Sequence, residues 1–489
     1  MKKYIFILSS LFLLNVGTSC SDKELELTDP LADQIDNVDT MAKLESLLNN
    51  AYLTSSSTSL YGTEVLAFGD ILGDNLYVTN SSPTYKIAYN MNYSSTQGEF
   101  NFYSGLYNVI MSCNFVINNT KVPNSDELTK IKAEAKMLRA MSYFTLVNYY
   151  SPSPTSGINQ DFGVPIVLEN YDVNIQPARA SVAQVYQQII KDLQEALIEG
   201  DSDPKQKLRM SKTAAKLLLA KVFLTRRAPG DAELALQYST DIVNNSDNNF
   251  FEAIDKALDT APTTASTYNN YFTSTNNDFS ENQKETIWEL DINQNSVRVN
   301  GIGSNLSLPL LYHRQDSKRA LLFKKNFYDS FKTTDVRRAL FTTVGVPDTD
   351  DPKGVWTNKY PRYTTEGTYL RNIKILRFSD AILSRIEALH LTGQDGQALI
   401  ELNQFSKRRK GTVYTGTDIL SDILSERAKE FYGEGQRFLD LKRYNQPIVK
   451  VSNCVMNCDV TANDKLFVLP MSQGALNSNP NLKQYPGYN

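Results

Sequence analysis

The chain has 489 residues, of which 41% are hydrophobic and 21% charged, and its formal net charge is −4. That length can bury an extensive core, and mild acidity with scattered Lys and Arg gives no electrostatic case for a nucleic-acid partner. Beyond the start of the chain, no apolar run reaches the roughly 20 residues that a membrane-spanning helix needs.

The first thirty residues concern location. Lys2 and Lys3 form a positive start, Tyr4 to Val16 an apolar stretch too short to span a bilayer, and Gly17-Thr18-Ser19 a small-residue zone before Cys20. This is the order of a lipoprotein export signal, although Gly17 stands where an aliphatic residue is usual. Residues 1–19 are expected to be removed and the Cys20 thiol to take a diacylglyceryl group, anchoring the chain to a membrane. Residues 20–37 then form a charged tether and residues 38–489 a single domain.

Helical periodicity begins near Val38, with Met41, Leu44, Leu47, Leu48 and Ala51 on one stripe. A second run spans Leu106 to Ile117. A third has Ala133, Met137, Ala140, Phe144 and Val147 at spacings of four and three. Ser181 and Ser211 stand where N-caps belong, ahead of stripes through Val185, Ile189 and Leu193 and through Ala215, Leu218 and Val222. Ala228 to Asp231 turn the second of these into a partner carrying Ala235, Tyr238 and Ile242, and Gly393 to Gly396 make a similar turn late in the chain. The pairs do not recur at a fixed interval, which excludes an uninterrupted solenoid. Residues 250–370 differ: the spacing predicts short strands at ETIWEL and, later, at KLFVLP, with polar loops between, mounted on a helical frame.

Glu426, Glu430 and Glu434 fall one turn apart in ERAKEFYGEGQRFLDLKRY, and paired carboxylates can perform acid–base chemistry. Arg427, Arg437 and Arg443 among them favour a buried polar network that fixes helix packing. Arg377, Asp380, Arg385 and Glu387 have the same reading. No HExxH, GxSxG or P-loop is present, and two histidines, His313 and His390, leave little for a triad. No catalytic residue, cofactor or metal is expected, and Asp348-Thr349-Asp350-Asp351 reads as a solvated acidic loop lacking the remaining EF-hand pattern. Cys113 sits in an apolar run. Cys454 and Cys458 are close enough to bridge, and the sequence leaves that pairing open.

A binder of sugars or peptides needs apolar faces with polar edges, which aromatic rings and amides supply. Of the 27 tyrosines, Tyr77, Tyr85 and Tyr93 follow GDILGDNLYV in a polar, loop-like stretch, and Tyr268 and Tyr271 lie in another. These five are expected on an exposed ligand face, with Trp356 of GVWTNKY beside them, whereas Trp288 is expected in the core.

Several segments together resemble the SusD/RagB family of Bacteroidota outer-membrane nutrient-uptake lipoproteins: the signal with Cys20, GDILGDNLYV, AEAKMLRAMSYFTLVNYY followed by GVPIVL, RFSDAILSRIEAL, ERAKEFYGEGQRFLDLKRY, and the closing FVLPMSQGALNSNPNLKQYPGYN. The resemblance implies a mostly α fold, a SusD-like body of tetratricopeptide-like helix hairpins with long loop and short-strand insertions. It further implies a lid over a TonB-dependent, SusC-like outer-membrane barrel, receiving oligosaccharide or, as in RagB-like members, peptide. Asp22, Glu24 and Glu26 resemble the surface-export signal of such lipoproteins, favouring display on the cell exterior. A structural scaffold and a glycoside hydrolase are the remaining alternatives.

Overall fold

A computed structural model describes residues 37–488 except 81, 83, 173, 202–206, 245–250, 252–253, 255–266, 275, 293–306, 313–320, 343–353, 362–370 and 452. Cys20, His313 and the Asp348 to Asp351 loop lie outside the described residues.

The frame consists of helices packed in sequence. They are α1 (Met41–Ser55), α2 (Glu64–Ile71), α3 (Phe102–Ile117), α4 (Asp126–Tyr150), α5 (Val182–Glu199), α6 (Lys212–Arg226), α7 (Asp231–Asn244), α8 (Phe378–Leu391), α9 (Asp395–Arg408), α10 (Ile419–Glu430) and α11 (Arg437–Arg443). Helix α1 packs on α3, α4 on α5, α6 on α7 and α8 on α9, and each pair rests on the next. The expected stripes face inward: Leu44, Leu48 and Ala51 on α1 and Val185, Ile189 and Leu193 on α5 are buried. Ser181 caps α5 reciprocally, its Oγ accepting from the Gln184 N–H at 3.2 Å while the Gln184 amide oxygen accepts from the Ser181 N–H at 2.9 Å. Ser211 caps α6 as expected.

Short strands fill in around the frame. An antiparallel sheet has the order β1 (Leu76–Val78), β3 (Leu321–Lys324), β5 (Gly354–Thr357), β4 (Phe341–Thr342), with Leu76 opposite Phe323 and Phe323 opposite Val355. The expected ETIWEL strand forms β2 (Thr286–Leu290), paired with β6 (Ile373–Arg377), and Trp288 is fully buried there. KLFVLP does not form a strand. Lys465–Phe467 is a single 3-10 turn, because Lys442 Nζ draws in the Phe467 carbonyl at 2.7 Å and Leu469 N–H donates to the Tyr149 carbonyl at 2.8 Å. Strands β7 (Ile448–Val449) and β8 (Asp459–Val460) form a hairpin closed by the Cys454–Cys458 disulfide, and Cys113 is a buried thiol.

The charged segment around Glu430 is buried. Glu430 accepts from Arg409 at 3.0 Å, Arg377 at 2.9 Å and Arg337 at 3.3 Å. Arg337 also pairs with Asp335 and Glu426 at 2.7 and 2.8 Å, and Arg377 with Glu285 and Glu434 at 2.7 and 2.9 Å. Burial alone would raise the Glu430 carboxyl, but the three guanidiniums outweigh it and hold the group well below the usual range. A second knot joins Arg427 and Arg443 to Asp440 at 3.0 and 2.8 Å, and Arg443 to Glu387 at 2.7 Å. The network reading of the glutamates is therefore the observed one.

Breaking such a network leaves charges buried without partners, which destabilises far more than an exposed pair would. Glu430→Gln is expected to lower unfolding free energy by about 3–5 kcal/mol. Urea titration measures this, and a loss under about 1 kcal/mol would show that the network carries little of the fold's stability.

Candidate functional site

The six aromatic residues expected on a ligand face are in the core. Tyr77, Tyr85, Tyr93, Tyr268, Tyr271 and Trp356 are each no more than 4% exposed. Tyr77 and Trp356 are strand residues of the four-stranded sheet. The Tyr85 ring meets Phe68 edge-on at 5.4 Å, and the Tyr93 hydroxyl donates to the Leu466 carbonyl. Tyr271 shares a hydrogen bond with Thr286 at 2.8 Å, and Tyr268 faces Glu430. Rings so enclosed present no face to a ligand, which corrects that expectation. The polar residues that made these stretches look like loops are spent on backbone partners, for example Asn90 on the Lys86 carbonyl at 2.8 Å.

A different set of rings lines a cleft of about 510 Å³. One wall is the N-terminal half of α3, where Tyr103 and Tyr107 lie one turn apart, and Tyr150 at the end of α4 closes the back. The Tyr103 and Tyr107 centroids are 4.9 Å apart, and Tyr150 meets Tyr103 edge-on at 5.0 Å. Both α3 tyrosines are half-buried, while Asn101, Ser104 and Asn108 on the same wall are exposed. The Tyr107 hydroxyl donates to the Pro165 carbonyl at 2.7 Å and hydrogen-bonds the Tyr103 hydroxyl. Burial pushes the Tyr103 phenol up to about 12.

The second wall is an extended strap, residues 163–180, that contains GVPIVL. Tyr143 grips it at Val167 through two hydrogen bonds, 2.9 Å to the carbonyl and 2.8 Å from the N–H. Asn114 donates to the Val167 and Glu169 carbonyls at 3.0 and 2.9 Å, and is itself aimed by Arg139 at 2.8 Å, which pairs with Asp192 at 2.7 Å. The third wall is the segment from Pro470 to Leu482, which includes the short helix α12 (Gln473–Ser478). Asn479 and Asn481 stitch it to the strap through the Pro177 and Gln176 carbonyls, at 2.9 and 2.7 Å. Arg179 ties all three walls, donating to the carbonyls of Tyr150 (3.1 Å), Gly163 (2.6 Å) and Lys483 (2.7 Å).

Half-exposed rings with amides and hydroxyls at the edges suit a ligand with apolar faces and polar rims. Among the described residues, no carboxylate, thiol, imidazole or amine lines the cleft. A second cleft, about 340 Å³, lies along α10 and includes Arg437, whose guanidinium is spent on Asp74 at 2.6 Å. Among the described residues, no group of side chains could hold a metal ion, and no helix is long and apolar enough to cross a membrane. Glu426 and Glu430 have no solvent exposure, and Glu434 is buried.

Two family profiles match the chain. One, described as "Starch-binding associating with outer membrane", covers residues 22–224, and the SusD family profile covers residues 283–488. The chain belongs to the SusD/RagB family. A SusD-like protein of Bacteroides ovatus is 26% identical over 389 residues, spanning 69% of this chain and 64% of that one. The starch-binding protein SusD of Bacteroides thetaiotaomicron is 31% identical over 123 residues, spanning 24% of this chain and 22% of its own. The chain thus matches less than two thirds of either relative's length. The crystal structure of a SusD superfamily protein from Bacteroides thetaiotaomicron superposes with a TM-score of 0.79 at 24% identity, over 91% of this chain and all of that one. That likeness establishes a SusD fold, mostly helical with few short strands.

Beneath the cleft, Glu64 on α2 accepts the Asn101 N–H at 3.0 Å, and burial pushes its carboxyl up to about 7 despite that bond. The folded chain therefore holds this proton more tightly than the unfolded chain, whose Glu titrates near about 4.3. The stabilisation is complete below the unfolded value and is lost as pH rises through the folded one. The melting temperature should fall between about pH 5 and about pH 8, and Glu64→Gln should flatten that decline. Thermal melts across the range check it, and an unaltered slope in the variant would assign the titration to another group.

Proposed function

We propose that this chain is a lipid-anchored, surface-displayed binding protein that captures oligosaccharide in the Tyr103–Tyr107–Tyr150 cleft and passes it to a TonB-dependent, SusC-like outer-membrane barrel. The observation that carries the reading is the cleft itself: the half-buried rings of Tyr103 and Tyr107, backed by the enclosed Tyr150 and edged with amides and hydroxyls. The matched family's description as starch-binding and outer-membrane-associated supports the ligand class and the location. In this reading residues 1–19 are the signal, Cys20 carries the lipid, residues 20–37 are the tether, and residues 38–489 are one domain.

The protein is proposed to catalyse nothing and to need no cofactor or metal. The glutamates that could suggest a glycosidase are neutralised by buried guanidiniums, which supports this. Peptide is the second ligand class. It is favoured by one observation: both tryptophans are fully buried, so no indole is offered to a polysaccharide.

Two experiments test the proposal. A glycan array run beside a peptide library on the purified protein should give glycan hits that Tyr103→Ala weakens by about 1–2 kcal/mol, roughly tenfold, with little change in melting temperature. By contrast, Tyr149→Ala in the core should lose about 3–5 kcal/mol of stability. Binding confined to peptides would replace the ligand class. In cells, Cys20→Ser should abolish lipid labelling and release the protein from membranes, since only the thiolate accepts the diacylglyceryl group. Capture of the wild type should bring down a TonB-dependent barrel, and retained labelling in the variant would remove the anchor.

A further inference from the structure

The cleft walls have a property that narrows the ligand beyond oligosaccharide. Among the described residues no Asp, Glu, Lys, Arg or His lines them, and the ionisable groups that do are tyrosine phenols that burial keeps protonated. A ligand charge entering the cleft would leave water without meeting an opposite charge, which is unfavourable.

Two ionisable groups stand behind the walls. Arg179 lies behind the Tyr150 end, with three of its donor contacts committed to the carbonyls of Tyr150, Gly163 and Lys483. Its remaining Nη2 is enclosed, away from the open cleft, and among the described residues no carboxylate pairs with it. Glu64 lies beneath the Asn101 end, committed to a backbone N–H and likewise without a cationic partner among the described residues. Glu64 is buried and the Arg179 Nη2 is enclosed, and neither residue lines the cleft. What the cleft offers openly is ring faces, the Ser104 hydroxyl and the amides of Asn101 and Asn108, all suited to hydroxyls and C–H faces.

We infer that the cleft selects uncharged oligosaccharide segments, and discriminates against uronate, sulfated and free-amine sugars, through walls that, among the described residues, are lined by no charged side chain. The inference rests on the assignment of this cleft as the ligand site. Discrimination of this kind comes from leaving the wrong ligand's charge unpaired and not from an added contact to the right one.

The test is a glycan array that carries neutral oligosaccharides beside uronate, sulfated and de-N-acetylated counterparts of the same backbones. It is probed with wild type, Tyr103→Ala and Asn108→Arg, the last placing a cation on the exposed rim. Expected are neutral hits with little salt dependence, charged counterparts at least about tenfold weaker, loss of the hits in Tyr103→Ala, and a gain for acidic counterparts in Asn108→Arg. If wild type prefers a charged member, with binding that falls steeply in salt and is lost in Tyr103→Ala, the selectivity is overturned while the site stands. If Tyr103→Ala leaves binding unchanged, the site assignment fails whatever the charge preference. If no glycan binds wild type, the carbohydrate reading falls and this inference falls with it.

Discussion

The structure depends on the neutralisation of Glu430. A carboxylate with no solvent exposure can stay ionised only if donors surround it, and here Arg337, Arg377 and Arg409 do so from three separate parts of the chain. Arg337 and Arg377 also gather Asp335, Glu426, Glu285 and Glu434, and Lys359 reaches Glu434 at 2.7 Å. Most of these partners come from the strand-bearing part of the chain, residues 285–377, so the network fastens that insertion to the helical frame. Apolar packing could hold the same elements together with less desolvation. What a closed set of charges adds is intolerance of any other arrangement, because displacing one member strands the others.

Much of this frame could be read from sequence. Stripes at spacings of three and four put Leu44, Val185 and Leu218 inward, serines at 181 and 211 capped their helices, and the alternation of Glu and Arg in ERAKEFYGEGQR pointed to ion pairs. These are local signals, carried within a turn or two of helix. The cleft was not legible because its walls come from residues 100–108, 150, 165–177 and 470–482, and no local pattern links segments so far apart. Tyr103 and Tyr107 share a helix face with core residues, so periodicity alone assigns them to packing. The opposite error befell Tyr77, Tyr85 and Tyr93: polar neighbours imitate a surface loop, yet the chain there folds under β3 and the 464–468 turn, and its polar groups bond to backbone.

The recurring sequence elements acquire physical reasons from the contacts they make. In GDILGDNLYV, Asp70 accepts from the Tyr312 hydroxyl at 2.7 Å and Asp74 clamps Arg437 at 2.6 and 2.8 Å. Gly69 lies against Gly435, where a Cβ would collide with the Gly435 backbone, and Gly435 itself has a φ of 74°. That element and ERAKEFYGEGQR are two halves of one junction. In AEAKMLRAMSYFTLVNYY, Arg139 and Tyr143 hold the strap, while Lys442 collects the carbonyls of Asn148, Ser151 and Phe467. Burial lowers that lysine to about 7, so its three acceptors hold a cation that its surroundings resist.

The cleft's separation from the Glu430 network has a consequence for how such proteins diversify. Ser104 and Asn108 stand exposed beside walls that are fastened by other residues: Tyr143 and Asn114 for the strap, Asn479 and Asn481 for the 470–482 segment. Exchanges at the rim leave those fastenings and the buried charges untouched, so their effect on folding should stay within the range of ordinary surface changes. Mutation can therefore alter what the cleft accepts without first acquiring compensating changes in the frame. Gene duplication of such a chain would yield copies that diverge at the cleft rim while remaining interchangeable in architecture.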